Sequence, residues 1–165
     1  MTREGHIKGE PHARFEVAIA AMPADRETTS AAESLARAKS IPVSDFYLAC
    51  WQALVWRLFG QPDVVIGAVA DERGHETLRD ACGLFAITLP VRHRFDDRMR
   101  FDEVLDAVAR SRRAASDWQY DFSWDRNVEG AGNNRAPGFF PLAFQFQTLP
   151  PSRSVDAASF SVVRS

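Results

Sequence analysis

His93 and Asp97, in the stretch HRFDD, are the pair in this chain whose types and spacing most suggest a reaction. A histidine followed four residues later by an aspartate is the HxxxD pattern of a general base in acyl transfer, its imidazole held by an aspartate-dependent turn. Such a base must sit at a water-poor junction where it can reach an attacking hydroxyl or amine. Here the pattern follows a strand-like run and lies in RHRFDDRMR, so a solvated turn is the expected structure. No GxGxxG, P-loop, HExxH or GxSxG motif is present. The four histidines, His6, His12, His75 and His93, show no paired spacing with each other or with cysteine. No metal site is expected, and no catalytic residue is assigned.

The segments that must position any site are strongly patterned. RFEVAIAA (14–21) alternates and reads as a strand ended by Met22-Pro23. Residues 27–39, with acids early and bases late, read as a helix. A second helix is expected from Ser44, as N-cap, to Phe59, stopping at Gly60. It is apolar nearly all round, which predicts a buried helix whose Trp and Phe side chains belong to the core. VVIGAVA (64–70) reads as a central strand covered on both faces. LFAITLPVR (84–92) alternates, with Phe85, Ile87, Leu89 and Val91 on one face and Thr88 and Arg92 on the other. Pro90 places it at a sheet edge or near a strand end. A third helix spans 101–115, with Phe101, Val104, Leu105 and Val108 inward and Arg110, Arg112 and Arg113 late. Residues 127–138 form a loop by composition, 141–149 a strand, and ASFSVV (158–163) a weaker strand. This order predicts an α/β fold with a mixed β-sheet flanked by helices.

The 165 residues are 45% hydrophobic and 25% charged, as in a globular domain. A net charge of -2, from 20 basic and 22 acidic residues, argues against a nucleic-acid partner. The most apolar run, FYLACWQALVWRLF, is too short to span a bilayer and carries Arg57, so no membrane partner is expected. Cys50 and Cys82 each lie in an apolar segment, outside any CxxC pair, which predicts small buried hydrophobes and a cytoplasmic protein.

Two apolar runs flank the charged connector DERGHETLRD (71–80), which by itself reads as a solvated loop with a helical turn at HETLRD. In its wider context the connector has another reading. From 41 to 149 the sequence resembles the C-terminal half of the condensation domains of nonribosomal peptide synthetases. An Ala- and Leu-rich helix is followed by GQPDVVIG (60–67), then Arg73 and Thr77-Leu78 in the connector, then CGLFAITLPVR (82–92). A helix opening on Phe101 and the run PLAFQFQ (141–147) follow in the family's order.

The resemblance implies half of a chloramphenicol-acetyltransferase-like two-lobe fold, with residues 1–13 a flexible lead-in and 14–165 a C-terminal lobe that stops before the family's last elements. In that family two lobes form a V around a tunnel, entered by two carrier proteins from opposite faces. The second lobe shapes the tunnel and the acceptor side. The connector would then face the lobe interface. Asp71, Arg73, Gly83, Thr88 and Arg92 are the candidate residues of the tunnel and lobe interface. The implied partners are an N-terminal condensation lobe and peptidyl or acyl carrier proteins, whose phosphopantetheine arm is theirs; no cofactor is expected on this chain. The family's catalytic His-His-x-x-x-Asp-Gly is not present, since Arg92 precedes His93 and Arg98 follows Asp97. Ile87 stands where the family has Asn, and Trp118 to Phe122 keep neither the His nor the Pro of its aromatic segment. These departures leave room for a non-catalytic module that binds carrier proteins or a partner enzyme. A coenzyme-A-dependent acyltransferase using His93 is a third reading.

Overall fold

A computed structural model describes residues 18–71, 76–78, 80–122, 140–148, 152–155 and 158–160. Three helices, α1 (Arg26–Ala38), α2 (Val43–Phe59) and α3 (Phe101–Asp117), accompany β1 (Asp63–Asp71), β2 (Ala86–Arg94) and β3 (Ala143–Phe144). A separate antiparallel pair, β4 (Arg153–Val155) and β5 (Ala158–Phe160), lies near the end of the chain. The main sheet has the order β2-β1-β3, antiparallel between β1 and β2 and parallel between β1 and β3. The sheet is therefore mixed, as expected, and β1 is its central strand.

Each helix starts and stops for a local reason. At α1 the Asp25 carboxylate accepts from the Thr28 N–H at 2.7 Å, and Glu27 and Arg37 complement the helix dipole. The turn that follows runs through Ser40 at φ 54, a left-handed conformation that a Cβ disfavours. Helix α2 begins at Val43 rather than at a Ser44 cap. Pro42 supplies a preset φ of -58° and has no side chain able to cap. Its carbonyl takes the Asp45 and Phe46 N–H groups, while the Ser44 hydroxyl donates to Asp45 instead. Gly60 closes α2 at φ 65, its N–H bonded to the Trp56 carbonyl at 2.8 Å. At α3 the Glu103 carboxylate reaches back to the Arg100 N–H at 2.8 Å. This helix runs two residues past the expected end, so Arg110, Arg112 and Arg113 fall short of its last turn. Their placement answers to an ion pair described below more than to the dipole.

The core lies on one side of the sheet. Val64, Ile66 and Ala68 of β1 and Leu89, Val91 and His93 of β2 point inward, against Leu48, Ala49, Gln52 and Val55 of α2 and Val104, Leu105 and Val108 of α3. Gln52 is buried because it bonds: its Nε2 donates to the Val91 carbonyl at 2.8 Å. The opposite face carries Asp63, Arg92 and Arg94 in solvent, and Val65 is 41% exposed. Phe140 covers that face at Gly67, where an added Cβ would lie 2.6 Å from the Phe140 Cγ. The expected double cover of β1 is thus only partial, since Phe140 covers the outer face at Gly67 while Val65 stays exposed; among the described residues α2 and α3 both pack on the inner face.

Helix α2 is also less buried than its composition suggests, since Leu54, Leu58 and Phe59 at its C-terminal end are exposed. Its apolar circumference is wider than the one face the sheet and α3 can cover. Residues 18–21, expected as strand, carry no pairing and are exposed, and 14–17 lie outside the described residues. The pairing of β2 starts at Ala86 and extends to Arg94, two residues beyond the expected end, with Pro90 in its interior. Proline is tolerated there because β2 is an edge strand. Of the strand expected over 141–149, only Ala143 and Phe144 pair with β1.

Candidate functional site

A cleft among the described residues opens where β1 and β3 end. It is a groove of about 700 Å³ between the last residues of β1 (Val69, Ala70), the approach to β2 (81–86) and residues 145–148 after β3. Crevices outside the carboxyl ends of parallel strands are where open α/β sheets bind ligands, because neighbouring backbones diverge there and leave polar groups free. Gly83 lines this groove, and an added Cβ would meet the Phe85 ring at 3.0 Å, so the close packing favours glycine. Leu84 stands 103% exposed at the lip.

The other candidate residues divide between this end of the sheet and the far one. Asp71 ends β1 opposite Ala86, a groove residue. Its side chain and all of Arg73 lie outside the described residues. Thr88 is half-buried on the outer face, paired with Val69. Arg92 lies six residues along β2 from Ala86, about 20 Å at the usual strand rise. It is held there by Asp63: Arg92 Nε donates to Asp63 Oδ1 at 2.7 Å and Nη2 to Oδ2, a two-pronged pair that pulls the Asp63 carboxyl below its ordinary value. The structure brings Gly83, Thr88 and the Asp71 backbone to one end and leaves Arg92 at the other. Of the connector's expected helical turn, Glu76–Leu78 form a single 3₁₀ turn.

Sequence reasoning passed over Gln145, Phe146, Gln147 and Cys82, all of which line the groove. Cys82 is exposed and free, contrary to its expected burial; Cys50 is half-buried, and burial pushes its thiol up from its ordinary value. The alternation in PLAFQFQ carried part of the signal, since Phe144 packs against the core and leaves Gln145 on the other side of the chain.

His93 is not in a solvated turn. It sits in β2 on the inner face, 6% exposed, with the Phe95 ring edge-on at 4.4 Å. Burial first, and the Arg110 charge second, hold its imidazole below its ordinary pKa. Asp97 is exposed, in the turn that follows, where Asp96 takes the Arg98 N–H at 2.9 Å. No carboxylate orients the imidazole among the described residues, and His93 does not line the groove. The geometry offers a neutral core histidine in place of a general base. The buried acid among the described residues, Asp45, is paired with Arg112 at 3.1 Å and ties α2 to α3; burial raises its pKa in spite of that partner.

Comparison with known proteins places this lobe. Residues 10–161 match the family model of the condensation domain. Malpibaldin synthetase of Mortierella alpina is 30% identical over 139 residues, which cover 84% of this chain and 2% of that protein. Tyrocidine synthase 2 of Brevibacillus parabrevis is 30% identical over 118 residues, 72% of this chain and 3% of that protein. Among solved structures, the condensation domain from the Monacolin K polyketide synthase MokA superposes with a TM-score of 0.60 at 25% identity, over 77% of this chain and 27% of that one. The first condensation domain of the calcium-dependent antibiotic synthetase superposes with a TM-score of 0.64 at 19% identity, over 84% of this chain and 30% of that one. The chain thus spans under a third of these solved structures and a few per cent of the synthetases, and its mixed sheet and helices have the fold of part of a condensation domain. On the match over 10–161, it belongs to the condensation-domain family.

Proposed function

We propose that this chain is the C-terminal lobe of a condensation domain that joins carrier-bound acyl or aminoacyl thioesters in nonribosomal peptide synthesis. The observation that carries the reading is the family match over 10–161 in a chain covering about 30% of a solved condensation domain. The acceptor amine would attack the donor thioester carbonyl, forming an amide and releasing the donor arm's thiol. The histidine that assists that attack belongs to the family's His-His-x-x-x-Asp-Gly, which this sequence does not contain. His93, the histidine among the described residues, does not replace it, because it is enclosed by the core. The chain's part is to shape the tunnel, with the groove beside Gly83 as a stretch of its wall, and to form the acceptor side.

The partners are an N-terminal condensation lobe and peptidyl or acyl carrier proteins bearing phosphopantetheine arms, met in the cytoplasm. No helix among the described residues is long and apolar enough to cross a membrane. The mass of the native polypeptide carrying QPDVVIGAVADERG, with peptide mapping upstream of Met1, tests this. A chain far larger than 18.4 kDa with a His-His-x-x-x-Asp-Gly peptide upstream is the expected result. A native chain of 18.4 kDa that captures a phosphopantetheinylated carrier protein without any second lobe would replace catalysis by a binding role.

A further inference from the structure

Positive charge gathers where α3 passes the start of α2. Asp106, Arg110 and Arg113 follow one another at helical spacing, so they share one face of α3. That face closes a cavity of about 220 Å³ against Ile41, Pro42 and Asp45, which lead into α2. Both carboxylates there are already engaged. Asp45 holds Arg112 Nε at 3.1 Å, and Asp106 takes Lys39 Nζ at 3.5 Å. Arg113 also acts on Asp45 through its charge, more weakly than Arg112 does. Neither Arg110 nor Arg113 has an ion pair among the described residues. Lys39, Arg110, Arg112 and Arg113 thus surround two carboxylates, an excess of two positive charges.

Two guanidinium groups on one helix face repel each other, and an anion between them removes that repulsion. Ile41 and Pro42 give the cavity an apolar wall, which strengthens any charge interaction made against it. Each guanidinium presents a planar fork of N–H donors, the geometry that matches two oxygens of a tetrahedral oxyanion. A metal cation is the wrong guest for the same reason, since the excess charge is positive.

We infer that the cavity between α2 and α3 is a site for a phosphate dianion, held by Arg110 and Arg113. Its two charges match the excess. A phosphodiester, with one charge and two esterified oxygens, leaves one guanidinium unbalanced. The dianion is either free inorganic phosphate or the terminal group of a phosphate monoester. The site shares no residue with the groove beside Gly83 and does not rest on the condensation-lobe reading.

The test is isothermal titration calorimetry of the full chain with inorganic phosphate, at about pH 8, where the phosphate is a dianion. Phenyl phosphate and dimethyl phosphate serve as the monoester and diester probes. One or both dianions should bind at a single site, with dimethyl phosphate at least about tenfold weaker. Tighter binding of phenyl phosphate identifies a monoester as the source, and tighter binding of inorganic phosphate identifies the free ion. The double variant Arg110→Gln/Arg113→Gln, on exposed positions, should keep its helical circular dichroism and bind phosphate at least about tenfold more weakly. Arg94→Gln removes a charge from the outer face of the sheet and should leave binding within about twofold. No binding of either dianion, equal binding of the diester, or a folded double variant that binds as tightly as the native chain overturns the site.

Discussion

Among the buried polar side chains, Asp45 and His93 decide most about how the described residues behave at the level of single residues. Asp45 stays buried because Arg112 reaches it, so Arg112→Ala should strand a carboxylate in the core. A loss of about 2–3 kcal/mol in denaturant unfolding is expected, below the fully buried range because Arg112 is itself 29% exposed. The double variant Asp45→Leu/Arg112→Met should recover most of it, and an unchanged midpoint for Arg112→Ala would contradict the assignment. His93 gives a pH dependence whose sign is fixed. Its folded pKa lies below the ordinary 6.5 through burial and the facing Arg110, so in that window the unfolded chain binds the extra proton. Stability therefore rises with pH and falls on acidification below about 6.5, by on the order of 1 kcal/mol per pH unit. Unfolding midpoints at pH 7.5 and 5.5 should diverge for the native chain and converge for His93→Phe. An equal divergence in both would sink the account. The residues of chemistry were the part least readable in advance. HxxxD is a spacing, and spacing does not report that His93 extends the inward period of Leu89 and Val91 while Asp97 sits past the strand's end.

At the scale of elements, what could be read was whatever local physics decides. The extents of α1 and α2, the stop at Gly60, the edge position announced by Pro90 and the alternation of β2 all follow from short-range sterics and periodicity. What could not be read depends on partners distant in the chain. The 141–149 run has strand patterning throughout, yet among the described residues only Ala143 and Phe144 pair with β1. Helix α2 has an apolar circumference, but only part of it finds a neighbour, leaving Leu58 69% exposed. The candidate site was legible in the same uneven way. Gly83 was found through the family pattern, and Gln145 and Gln147 were missed because the groove they line forms only where distant segments meet. One local strain is open to direct test. Ser40 holds φ 54 between α1 and α2. Ser40→Gly should raise unfolding stability by about 1 kcal/mol, and a loss of stability would show that the Ser40 side chain is needed there.

At the scale of the whole molecule, the described residues form a one-sided layer: helices on the inner face of the sheet, an outer face with Arg92 and Asp63 paired in solvent, and a groove at one end. Such a body has a core and a cleft, and the one histidine among the described residues, His93, is enclosed by the core; in the proposed reading the base for acyl transfer comes from another lobe. That division of labour is the central claim. The most direct test is amide-bond formation between two substrate-loaded carrier proteins, assayed with the chain alone and with the chain joined to a lobe bearing His-His-x-x-x-Asp-Gly. The account predicts no product from the chain alone, product from the joined lobes, and a joined His93→Ala variant that retains turnover wherever it stays folded. Product from the chain alone, abolished by His93→Ala in a folded variant, would contradict it.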